Sequence, residues 1–91
     1  LNIASELNAY TLSDRATWIT FKNKKNLEVL FHNDKKLFNQ YGAILVNPQK
    51  CPNTNIEDSK VFLDWLLSKE GQNTIKNYKV DGVQLFYPNA N

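Results

Sequence analysis

A nucleophile beside a base, a carboxylate pair in a cleft or a cluster of metal ligands would each mark the residue types and their spacing. Here the single cysteine, Cys51, and the single histidine, His32, stand nineteen residues apart with no catalytic context. One Cys excludes an internal disulfide framework and any multi-Cys metal site, and one His without a second ligand nearby reads as a loop residue. Asp14, Asp34, Asp58, Asp64 and Asp81 are each accounted for by capping or solvation. The glycines, Gly42, Gly71 and Gly82, are too scattered to form a phosphate-cradling loop. Catalysis is not expected, and no cofactor is called for.

Binding is better supported. Tyr10, Thr11, Ser13 and Thr17 cluster around a predicted strand end and helix start. Hydroxyls and free N–H groups converge at such places and hold oxyanions without a fixed counter-charge. The same residues also have an ordinary reading, in which Ser13 and Asp14 cap the helix and Tyr10 packs. The residues alone leave both open.

Composition narrows the partners. The chain is 42% hydrophobic, 12% aromatic and 22% charged, which suits a folded protein and not a disordered one. The net charge of +2 arises from eleven basic residues against nine acidic ones, and Arg15 is the only Arg. Nucleic-acid binders concentrate Arg and Lys on one face, so no nucleic-acid partner is expected, and Lys22, Lys24, Lys25, Lys35 and Lys36 read as solvated surface. No apolar run approaches the ~20 residues that span a bilayer. The chain contains no Met and opens on Leu1-Asn2-Ile3-Ala4 as though inside an element, so a fragment is expected.

The elements that must position these residues follow from caps and periodicity. Leu1–Leu7 reads as the end of a helix with Asn8 as a left-handed stop, and Ala9–Leu12 as a short strand. Asp14 caps a short helix from Arg15 to about Phe21, with Trp18 and Phe21 on one face. Leu27–Phe31 reads as a strand, and the apolar run Ala43-Ile44-Leu45-Val46 as a strand buried on both faces, ended by Pro48. After a loop over 49–55, Asn55 caps a helix from Ile56 to Leu67 with Phe62, Trp65 and Leu66 at helical spacing. Ser68 caps a further helix running to about Tyr78, with Glu70 in its first turn. Val80–Pro88 reads as a turn-rich aromatic tail packed on a surface.

The segment Phe62-Leu63-Asp64-Trp65-Leu66-Leu67-Ser68-Lys69-Glu70-Gly71-Gln72, followed by Ile75 and Tyr78, resembles the closing two helices of type II periplasmic binding proteins. Three further segments are similar to the tungstate-binding branch of that group. They are Leu1–Glu6 with Ala9–Arg15, Leu37–Gly42 leading to Leu45–Pro48, and Asp81–Asn89. The resemblance covers the whole chain. It implies an α/β fold, a C-terminal fragment of a two-lobed protein that closes on an anion between its lobes. Residues 1–37 would complete the second lobe, 38–48 form a hinge strand crossing back, and 49–91 pack as helices and tail on the first lobe. It also implies an extracytoplasmic receptor, at the periplasmic or outer face of the membrane, that delivers tungstate or molybdate to an ABC transporter permease. In the molybdate-binding relatives a Tyr at the start of the crossing strand contacts the oxyanion, and Tyr41 matches it, although Gly42 stands where those relatives often have Pro. The strand before Asp14 points to Tyr10 and Thr11, and Arg15 lies close enough to join them.

Two other readings fit the residues. One is a ligand-sensing effector domain of a transcription regulator, which shares the fold. The other is an interaction domain without a ligand. The apolar face of Phe62, Trp65 and Leu66 would be exposed in this segment alone, so self-association is a further expectation.

Overall fold

Three of the four α-helices among the described residues open on a side-chain cap, and the first does not. In the computed structural model, which describes residues 1–90, α1 spans Asn2–Leu7 and stops at Asn8, whose φ of 52° and ψ of 45° are left-handed. The Asp14 carboxylate accepts from the Thr17 N–H and opens α2, Arg15–Thr20. Asn55 does the same for α3, Ile56–Leu67, by accepting from the Asp58 N–H. Ser68 ends α3 by donating its N–H to the Trp65 carbonyl, and starts α4, Lys69–Asn77, by accepting from the Gly71 N–H at 3.1 Å. Glu57 and Asp58 in the first turn of α3, and Glu70 and Lys76 at the two ends of α4, agree in sign with the helix dipoles. Among the described residues a single 3-10 turn, Lys35–Leu37, is capped by Asp34, which the residue pattern does not signal.

The α3–α4 corner is the main helix–helix contact. It is tight enough to require glycine at position 71. A Cβ there would lie 2.0 Å from the Trp65 carbonyl oxygen and 2.9 Å from that of Leu66. The Gln72 amide locks the corner further by donating to the Leu66 carbonyl at 2.8 Å.

The strands differ from expectation. Residues 9–12, 27–31 and 43–46 are not strands, and among the described residues no hydrogen bond involves the backbone of 28–31 or 43–46. A strand exists only through its ladder to a neighbour, and these segments have none among the described residues. The α/β expectation is therefore met only in part. The regular structure within residues 1–90 is mostly helical, with one small antiparallel hairpin. That hairpin pairs β1, Lys79–Val80, with β2, Val83–Gln84, inside the segment expected to be an irregular tail. Its turn residues Asp81 and Gly82 have φ of 52° and 77°, the two positive values that the tight hairpin turn favoured by Asp-Gly demands.

The chain closes no core of its own. Its Cα radius of gyration is 17.6 Å, whereas a compact domain of this length has about 12 Å. Its accessible surface is 7992 Å², against about 5,400 Å² for a globular protein of the same mass. Burial among the described residues is confined to Ala4, Ser5, Gly71 and Leu85. Ile44, Val61, Phe62 and Leu67 are exposed, and Trp65 is 37% exposed. Among the described residues this leaves large apolar side chains on the surface rather than in a core.

Candidate functional site

Tyr10 and Thr11 follow the left-handed stop of α1 in an extended stretch that is open to solvent. Tyr10 is 90% exposed and does not pack. Ser13 donates its hydroxyl to the Asp14 carbonyl, and Asp14 takes the Thr17 N–H. The Thr17 hydroxyl, and after it the Thr17 N–H, hold the Asp14 carboxyl below the ordinary carboxylate range. The start of α2 thus already carries an anion of its own. An oxyanion approaching there would meet Asp14, so donors near Tyr10 and Thr11 must face away from the helix axis to serve a ligand.

Arg15, the first residue of α2, is oriented from two sides. Its guanidinium donates to the Asn33 side-chain oxygen at 3.4 Å and lies 5.7 Å from the centre of the Tyr87 ring. Tyr41 is 64% exposed and meets the Phe86 ring edge-on, with centroids 5.9 Å apart and planes at 78°. Beside it, Gln40 and Asn89 exchange a reciprocal pair of amide hydrogen bonds at 3.2 and 2.9 Å. Arg15 and Tyr41 are therefore held by consecutive residues of one C-terminal tail. Among the described residues no side-chain hydrogen bond or ring contact joins Tyr10 or Thr11 to either. Sequence reasoning overlooked Tyr87, Phe86, Gln40 and Asn89 as supports, because each acts on a residue far away in the chain. The Asp-Gly turn that aims the tail was the signal that could have drawn attention to it.

The concave places lie elsewhere. One cavity of about 500 Å³ runs between Ala43–Leu45 and the Phe62, Leu63 and Leu66 side of α3. Another of about 400 Å³ sits beside Pro52–Glu57 at the start of α3. Neither includes Tyr10, Thr11, Arg15 or Tyr41, and the larger is lined mainly by apolar side chains. The polar residues that line the larger, Asn55, Asp58 and Ser59, bond to one another at the start of α3, and the Asp58 carboxylate would oppose an anion there. Among the described residues no group of three or more His, Cys, Asp or Glu could hold a metal ion, and no helix is long and apolar enough to cross a membrane. Cys51 is exposed and unpaired by disulfide.

Residues 1–70 match the family described as the PBP superfamily domain, and the chain belongs to that family. The family consists of binding proteins and not enzymes. The chain is 44% identical over 92 aligned positions to the tungstate-binding protein TupA of Peptoclostridium acidaminophilum, covering 99% of this chain and 32% of that protein. It is 41% identical over 92 positions to a Haloferax volcanii protein provisionally described as an ABC transporter anion-binding protein, covering 96% of this chain and 27% of that one. It therefore spans about a third or less of the length of these curated relatives. No solved structure is significantly similar to it.

Proposed function

We propose that this chain is the closing segment of a two-lobed, extracytoplasmic oxyanion receptor that binds tungstate, or molybdate as its near analogue, and hands it to an ABC transporter permease. The observation that carries this reading is the similarity to the tungstate-binding protein along 99% of the chain. The open architecture supports it. The unpaired apolar run at 43–46 and the exposed side of α3 suit a segment whose sheet and core are completed by other parts of a longer protein.

In this reading residues 1–37 finish the second lobe, 38–48 form the hinge strand, and 49–91 pack on the first lobe. Tyr41, on the hinge strand, donates its hydroxyl to the oxyanion. Arg15 supplies a fixed positive charge at the rim, and Tyr10 and Thr11 contribute a hydroxyl or backbone donor from the second lobe. Selectivity comes from cavity size and donor geometry, because neutral donors fixed in place cannot adapt to an anion of a different radius. Closure removes water and strengthens each of these bonds.

Thermal unfolding of the intact protein, with tungstate, molybdate or sulfate at equal concentration, tests the proposal. A ligand that binds only the folded state raises the melting temperature by mass action. Tungstate is expected to raise it most and sulfate least. Equal melting in all three ions would remove the oxyanion function.

A further inference from the structure

We infer that the C-terminal tail, Gln84–Ala90, is a clamp that positions Arg15 and Tyr41 relative to one another, with Tyr87 and Asn89 as its positioning residues; this rests on the proposed oxyanion site. The tail is anchored at both of its ends. Leu85, beside the hairpin, is 5% exposed and so fixes the start. At the far end the Ala90 N–H donates to the Gln72 side-chain oxygen at 3.1 Å, and the same Gln72 amide is tied to the α3–α4 corner through the Leu66 carbonyl. Between these anchors three consecutive functions appear. Phe86 meets Tyr41 edge-on, Tyr87 carries the Arg15 guanidinium on its ring, and Asn89 exchanges two hydrogen bonds with Gln40, forty-nine positions away.

The chemistry explains the division of labour. A guanidinium on an aromatic face keeps its charge and several N–H donors free, unlike one consumed by a bidentate carboxylate. Arg15 is thus oriented without being neutralised, as a residue presented to an anion must be. The reciprocal Gln40–Asn89 pair fixes the tail's register against the segment that carries Tyr41, so the two site residues share one frame. A tail that joins segments on either side of the proposed hinge also makes closure and donor spacing depend on each other.

Isothermal titration of the intact protein with sodium tungstate tests the clamp, using wild type, Tyr87→Leu, Tyr87→Phe, Asn89→Ala, Arg15→Ala and the Arg15→Ala/Tyr87→Leu pair. Losing a cation–π contact at an exposed site corresponds to about two- to fivefold weaker binding. Tyr87→Leu is expected to show that loss, Tyr87→Phe to restore wild-type affinity because its ring face is retained, and Tyr87→Leu to have no further effect once Arg15 is Ala. Asn89→Ala is expected to weaken binding in the same direction, and it carries the test if Tyr87→Leu does not fold. Wild-type affinity in both Tyr87→Leu and Asn89→Ala, equal losses in the Leu and Phe variants, or additive effects of Arg15→Ala and Tyr87→Leu would each overturn the clamp while leaving the receptor reading intact. No tungstate binding by wild type would overturn both.

Discussion

Replacing Gly71 by Ala should destabilise the protein even though Ala is the better helix former. Within a helix the exchange ordinarily gains up to about 1 kcal/mol. At this position the added Cβ would sit 2.0 Å from a backbone oxygen, whereas ordinary contact begins at 3.4 Å. The start of α4 would have to move by about 1.4 Å, away from carbonyls that belong to the last turn of α3. Such a shift strains two bonds at once, the Ser68 cap to the Gly71 N–H and the Gln72 bond to the Leu66 carbonyl. Overpacking against backbone costs about 1–3 kcal/mol and a lost cap about 1 kcal/mol, so after the propensity gain the net loss is about 1–3 kcal/mol. Urea unfolding of the intact protein followed by circular dichroism measures it. Gly42→Ala is the control: a Cβ there meets nothing within 4 Å, and a change below about 0.5 kcal/mol is expected. If Gly71→Ala is as stable as wild type, the corner is not as tight as described and the argument fails.

Three other outcomes follow from the same contacts. Asp14→Ala should cost about 1 kcal/mol by removing the α2 cap, while Asp14→Asn should cost much less. Because the folded Asp14 carboxyl is held below its ordinary value, its contribution is present above the unfolded value near 3.8 and is lost as pH falls through the folded one; acid unfolding of Asp14→Asn should lack this component. Gly82→Ala forces a side chain into φ of 77° and should cost about 1–2 kcal/mol in chemical denaturation, with equal stability arguing against the hairpin turn. Tyr41→Phe should weaken tungstate binding about ten- to hundredfold, the loss of one hydrogen bond to a charged ligand being worth about 1.5–3 kcal/mol; unchanged affinity by titration would take Tyr41 out of the site.

What could be inferred from the residue order divides along local and distant interactions. The bounds of α3 and the caps at Asn8, Asp14, Asn55 and Ser68 were legible because a cap and its N–H partner lie within three or four residues. The run Ala43–Val46 reads as a strand buried on both faces, but a strand needs a neighbour, none pairs with it among the described residues, and Ile44 and Val46 are exposed. The hairpin at 79–84 was hidden by the brevity of its strands, despite the Asp81-Gly82 turn. For the proposed site, Arg15 and Tyr41 follow from the family resemblance, whereas Tyr87 and Phe86 behind them do not. Nothing near position 15 indicates which distant aromatic will lie under its guanidinium.

The central claim, that the chain frames an oxyanion cleft, is tested most directly by titrating the intact protein with tungstate in a calorimeter. The account predicts saturable binding at one ion per molecule, with molybdate competing and sulfate competing poorly. Heats indistinguishable from dilution for both tungstate and molybdate would contradict it.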